Sequence, residues 1–166
     1  CTFLSGLVLK NGDVLHHPML DSHSDLVAYF TLPDTDAYIR HFAKAELVPA
    51  EDTWLTPDKW TWRIDEETRP TWLDEVEGQA EASARAIATR MVLTDKTKIP
   101  KLIVDGCWIV GGKGKIRDVR GGRIIRVQDL AQVSDVSGSA QVSHVSGSAQ
   151  VSHVGETVVL DASAKA

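Results

Sequence analysis

AQVSDVSGS (131–139), AQVSHVSGS (140–148) and AQVSHVGET (149–157) follow one another without a gap. The period is nine: Ala131, Ala140 and Ala149 align, as do Val133, Val142 and Val151, and Val136, Val145 and Val154. A short fixed period with small residues and valine at the same places is the mark of a stacked β-solenoid, because one nonapeptide cannot bury its own valines. Three repeats make a short stack, so the stack is expected to begin upstream, near Cys107, or to be completed by another subunit. The segment before the repeats, 101–130, is a series of short β-type runs separated by glycine pairs. A low-complexity Ser/Gly tail is the alternative, and the regular valine spacing argues against it.

Ahead of Pro100 the character differs. TFLSGLVLK (2–10) and VLHHPML (14–20) read as strands around NGD, and Asn-Gly between apolar runs is a strong hairpin signal. Asp21 or Ser22 caps a short helix whose apolar side is Leu26, Val27 and Phe30. HFAKAELVP (41–49) alternates as a strand, and a turn at Pro57-Asp58 leads into another through Trp60, Trp62 and Ile64. Residues 71–93 form the clearest helix, opened by Thr71 and Asp74 as a capping-box-like pair, with Val76, Ala80, Ala84, Ile87 and Met91 as its buried stripe. Trp54, Trp60, Trp62 and Trp72 are expected to fill the space between strand and helix. The fold class is therefore α+β: an antiparallel β-sheet with two helices over 1–100, followed by a short C-terminal β-solenoid of nonapeptide repeats over 101–160. The solenoid is expected to mediate homo-oligomerisation, since an open stack end needs a cap or a partner.

Composition sets the outer limits. The chain has 166 residues, 43% hydrophobic and 25% charged, which is a globular balance. Its apolar runs stop well short of the ~20 residues of a membrane span. No membrane partner is expected. The start of the chain carries no signal or transit pattern, and a cytoplasmic location is expected. Net charge is −5 but unevenly spread. Residues 1–95 carry 8 basic and 17 acidic side chains (−9), whereas 96–166 carry 10 and 6 (+4). Within the latter, 96–126 holds 9 basic and 2 acidic side chains and is a candidate for anion contacts, but the whole does not read as a nucleic-acid binder. Two cysteines, Cys1 and Cys107, make no disulfide framework and point to a reducing compartment.

A hairpin converts sequence into proximity. A two-residue Asn11-Gly12 turn pairs residues whose numbers sum to 23, and a three-residue NGD loop gives 24. Either register brings DSHSD (21–25) beside Cys1, which is expected to carry a free thiol and a free α-amine. Covalent acyl transfer needs a thiolate, a base and a group that orients the base. Cys1 is the candidate nucleophile, and its amine or His23 the base. Asp21 or Asp25 would orient His23, while Ser22 or Ser24 would donate to a developing oxyanion. The plainer readings are a residue that merely follows the initiator methionine and, for DSHSD, a helix cap. His16 and His17 lie on opposite faces of the second strand, so only one of them faces this pocket.

The N-terminal CT strand, the hairpin and an acidic residue some twenty positions on resemble the opening of N-terminal-nucleophile hydrolases. That resemblance implies Cys1 as nucleophile and Asp21 as a contact of its amine. Over nearly the whole chain, KNGDVL, DSHSDL, PDKWTWRIDEE and AQVSHVSGS resemble small phage and bacterial proteins that end in nonapeptide repeats. This second resemblance implies a phage-associated, cytosolic setting and no particular activity.

Three further signals complete the reading. GGKGK (111–115) and RGGR (120–123) combine glycines with cations, which would cradle phosphates through backbone amides. No Ser/Thr follows the lysine as a phosphate loop requires, and basic side chains on solenoid turns are the plainer account. Lys113, Lys115, Arg117 and His17 are the candidate contacts for a small anionic, nucleotide-like ligand. Asp135, His144 and His153 hold equivalent repeat positions and are expected to form a ladder of surface polar residues on one face, not a metal site. No cofactor is expected. The leading function is hydrolysis or transfer at an amide-like bond of a small-molecule substrate by Cys1. Its rivals are a phage accessory protein that binds an anionic ligand or a host protein, and a structural homo-oligomer.

Overall fold

The computed structural model describes residues 4–33, 35, 37–155 and the backbone of 159–160. The chain divides into two units, between Thr89 and Arg90. An antiparallel sheet with two helices makes up the first, and a parallel β-solenoid of about four turns the second.

In the first unit β1 (Leu4–Leu9), β2 (Val14–Leu15), β3 (Phe42–Val48) and β4 (Thr61–Ile64) lie in the order β2-β1-β3-β4. The β1–β2 pairing joins Leu7 to Leu15 and Val8 to Val14, so pair numbers sum to 22, not to the expected 23 or 24. The reason lies in the loop. Gly12 takes a left-handed φ of 82° and its amide bonds the Leu9 carbonyl at 2.9 Å, which makes Lys10-Asn11-Gly12 the loop.

Helix α1 (His23–Tyr29) is capped by Ser22, whose Oγ accepts from the Asp25 amide at 3.4 Å. Its buried Leu26 and Val27 pack with Leu7 and Phe42 on one face of the sheet. Helix α2 (Leu73–Met91) covers the other face, where Leu73 and Ala80 pack with Val8, Ala43 and Ala45, and Trp62 and Trp72 complete the contact. The small alanines of α2 let the helix lie close to the strands. Trp72 Nε1 donates to the Ile39 carbonyl at 2.9 Å, so the tryptophan is both packed and satisfied.

The solenoid alternates between two parallel sheets. One holds β5 (Val92–Leu93), β7 (Cys107–Val110), β9 (Arg123–Val127), β11 (Gln141–Val142) and β13 (Val159–Leu160). The other holds β6 (Leu102–Ile103), β8 (Lys115–Val119), β10 (Gln132–Val136) and β12 (Gln150–Val154). Val133 pairs with Val151 and Gln141 with Arg123, so successive coils in the repeats are two nonapeptides apart. Each nonapeptide supplies half a coil.

This corrects one expectation. Asp135 stacks between Asp118 and His153, while His144 follows β11 in the opposite sheet. The polar ladder is therefore Asp118–Asp135–His153. Leu93, Val110, Ile116, Ile124, Val133 and Val142 fill the space between the sheets. Glycine pairs mark where coils nearly touch: a Cβ on Gly121 would lie 2.2 Å from the Val104 carbonyl oxygen. Among the described residues no helix is long and apolar enough to cross a membrane.

Candidate functional site

Strand alternation decides which side chains meet on the α1 face of the sheet. Ser5 of β1 is opposite Glu46 of β3, and Glu46 is opposite Arg63 of β4. Among the described residues Ser5 and Glu46 are the buried polar ones, and the register makes them neighbours. A buried carboxylate is costly unless paired. Arg63 supplies the partner, with Nε at 2.6 Å and Nη2 at 2.5 Å, both on Oε2 of Glu46.

His23 enters this face from the first turn of α1. Its Nδ1 lies 3.2 Å from Oδ2 of Asp65, just beyond β4, and its Nε2 lies 3.1 Å from the Ala45 carbonyl. The side chain of His23 is 11% exposed and that of Asp65 is 57% exposed. His23, Glu46 and Asp65 thus bring an imidazole nitrogen and two carboxylates within 4.8 Å of one another. This is the one combination among the described residues with the donor set for a metal.

A polar groove of about 530 Å³ is lined by Tyr38, Ile39, Lys44, Glu66, Glu67 and Thr68. Tyr38 donates to Oε2 of Glu66, and the other Glu66 oxygen accepts the Lys44 amide at 2.7 Å. Lys44 Nζ sits 4.3 Å from the centre of the Tyr38 ring. Burial, then the Glu66 carboxylate, raises the Tyr38 pKa. Burial works against the charge on Lys44, but Tyr38, Glu66 and Asp65 outweigh it and raise the Lys44 pKa as well.

The residues singled out from sequence fall in different places. Cys1 lies outside the described residues. Ser22 is the α1 cap, and Asp25 engages it through its backbone amide. The Asp21 carbonyl accepts from Ser5 Oγ at 2.9 Å. The carboxylate that meets the His23 ring is Asp65, one residue beyond the strand expected through Ile64.

His16 packs inward, with Nδ1 donating to the Ser5 carbonyl at 3.0 Å, and burial lowers its pKa. His17 stands 4.5 Å from the Tyr29 ring and accepts the Met19 amide at 3.2 Å. Glu46 and Arg63 were missed altogether. Their signal was the alternation of HFAKAELVP itself, which sets Glu46 two residues from Lys44 on the face that also carries Phe42.

In the solenoid, the glycine-rich loop keeps its own anions. The Gly112 amide donates to Asp129 and the Lys113 amide to Asp95, each at 2.9 Å. Amides that would cradle a phosphate are therefore already bonded to carboxylates. Lys115 and Arg117 are exposed on β8, and Arg117 Nε comes only within 3.8 Å of Asp118.

No known protein family, curated protein or solved structure matches the chain.

Proposed function

We propose that the first unit is a hydrolase or acyl-transfer enzyme acting on an amide-like bond, with Cys1 as nucleophile. The observation that supports this reading is the His23–Asp65 pair: a mostly buried imidazole held by a carboxylate on one side and a backbone carbonyl on the other. Because both His23 nitrogens are engaged, the α-amine of Cys1 takes the role of base. The thiol proton passes to that amine, sulfur bonds the substrate carbonyl carbon, and the C–N bond breaks as the ammonium so formed returns that proton to the departing nitrogen. Water then hydrolyses the thioester, or an acceptor amine takes the acyl group. Asp65 orients His23, the place expected for Asp21 or Asp25. The groove beside Lys44 and Tyr38 is of a size for a small polar substrate. The setting is a phage-associated one, supported by the KNGDVL and DSHSDL resemblance alone. The repeats are the assembly element in this reading.

The test is the alkylation rate of Cys1 against pH, read by mass spectrometry, with Cys107 as internal control because only 4% of it is exposed. Intact mass first establishes that Cys1 carries a free amine. An activated thiol titrates well below the ordinary ~8.5, and Asp65→Asn moves it back toward that value. An ordinary titration in the wild type, or a chain extended ahead of Cys1, overturns the proposal.

A further inference from the structure

We infer that His23, Glu46 and Asp65 form a binding site for a divalent transition-metal ion. The proposal shares two side chains with the hydrolase reading but does not rest on it.

Three observations carry it. The ligands come from three separate elements, the first turn of α1, the middle of β3 and the end of β4, yet their donor atoms lie within 4.8 Å. Next, the Ala45 carbonyl is an acceptor 3.1 Å from Nε2, so that nitrogen carries its proton and Nδ1 is the one turned toward Asp65. Ligating histidines characteristically donate their other N–H in this way, which fixes tautomer and ring orientation. Finally, Arg63 holds Oε2 of Glu46 with both Nε and Nη2, which fixes a carboxylate whose side chain is only 9% exposed in the middle of this sheet face.

The spacing needs only a small adjustment. Bonds of ~2.0–2.2 Å put ligand atoms roughly 3 to 4 Å apart around one ion. Asp65 is more than half exposed and is the ligand able to rotate inward. One imidazole and two carboxylates suit Zn²⁺, Mn²⁺ or Fe²⁺, whereas Ca²⁺ needs six to eight oxygens. Three protein ligands leave positions open to water or substrate, the arrangement of reactive rather than closed structural sites.

A proton on Nδ1 is the competing occupant, and it would make His23–Asp65 a simple ion pair. The deciding experiment is calorimetric titration of the Cys1→Ala protein with Zn²⁺ and Mn²⁺, with Co²⁺ absorption spectra reporting the ligand set. One ion per chain is expected, with affinity reduced at least ~10-fold in Glu46→Gln and in Asp65→Asn. Arg63→Gln should tighten binding, because it removes a cation from the ligand's other side. Far-UV circular dichroism checks that each variant is folded, and Asp65→Asn, at an exposed position, is the gentlest of them. Failure to bind, or binding untouched by Glu46→Gln and Asp65→Asn, overturns the metal site and leaves the cysteine reading to its own assay. Loss of Cys1 reactivity with metal binding intact does the reverse.

Discussion

Val136 and Val154 hold the same place in the nonapeptide and stack on one another in register, yet Val136 is 1% exposed and Val154 39%. Identical chemistry in two degrees of burial makes them a matched pair. Val136→Ala removes two methyl groups from a site packed between β8 and β12. At ~0.8 kcal/mol per buried methylene this is about 1.6 kcal/mol. A residual cavity of ~25 Å³, at about 24 cal/mol per Å³, adds roughly 0.6 kcal/mol. Val136→Ala should therefore cost about 2 kcal/mol. Val154→Ala loses only the covered part of its transfer energy and opens onto solvent, so it should cost under ~1 kcal/mol. Urea unfolding followed by far-UV circular dichroism separates them. With a slope of ~1–3 kcal/mol per molar, the midpoints should differ by roughly 0.5 to 1 M. Equal midpoints for the two variants, or a Val136→Ala protein indistinguishable from wild type, would refute the coil stacking on which the solenoid rests.

Gly138 and Gly147 offer a second matched pair, both left-handed with φ of 65° and 68°. A Cβ at Gly138 would meet the Arg120 carbonyl oxygen at 2.4 Å, whereas at Gly147 the nearest atom is 3.2 Å away. Alanine should cost ~1–2 kcal/mol at either site for the backbone conformation, and at least ~1 kcal/mol more at Gly138 for the clash, as thermal unfolding would read. His16 is half-buried, and its lowered pKa sets a direction. Below the ordinary value of 6.5 the unfolded chain binds a proton that the folded one refuses, so stability is full above that pH and falls as pH drops toward the lower folded pKa, by at most ~1.4 kcal/mol per pH unit. His16→Asn should flatten this slope in denaturation curves taken between pH 7 and 5. Asp95 has its pKa lowered chiefly by the Lys113 amide, so the bond is present above the ordinary carboxylate range and lost as pH falls through the lowered value. Asp95→Asn should reduce the acid sensitivity of amide exchange at Lys113, and an unchanged profile would count against that anchor.

Local elements were the most legible part of the fold. The apolar stripe announced α2, and DSHSD gave the α1 cap, because both depend on residues three or four apart. The solenoid was legible as a solenoid but not in its coil length. A nonapeptide supplies one short strand and one turn, and a single strand and turn cannot bring the chain back to its starting point. Only a second nonapeptide does so, which is why His144 leaves the ladder and Asp118 joins it. The hairpin register went astray over one residue: glycine at the third loop position closes the turn from Leu9, not Lys10. In the candidate site, His23 stood out through its motif. Its partners Glu46 and Asp65 reach it through sheet pairing and strand ends, and periodicity carries no record of such contacts.

The two units differ in how they satisfy their polar groups, and this difference sets the candidate site apart. In the solenoid the glycine-loop amides already bond Asp95 and Asp129, and the outward residues repeat from coil to coil. Stacking Asp118 on Asp135 places like charges on adjacent strands, with the exposed His153 ring 3.6 Å from Asp135. Where unlike groups meet there, as Asp118, Arg120, Asp135 and His153 do around one groove, they come from adjacent coils. The α1 face of the sheet gathers them from separate elements instead. A buried glutamate facing a buried serine costs stability that an apolar pair would not, since even a paired interior charge seldom repays its desolvation. Arg63 accounts for one oxygen of Glu46, and the carboxylate belongs to the cluster that His23 and Asp65 complete. Packing alone gives no reason for that arrangement, whereas a bound cation does. Replacing Glu46 with an apolar residue of similar size, as in Glu46→Leu, should therefore hold or raise stability while abolishing metal binding, and a strongly destabilised variant would return Glu46 to a purely structural role.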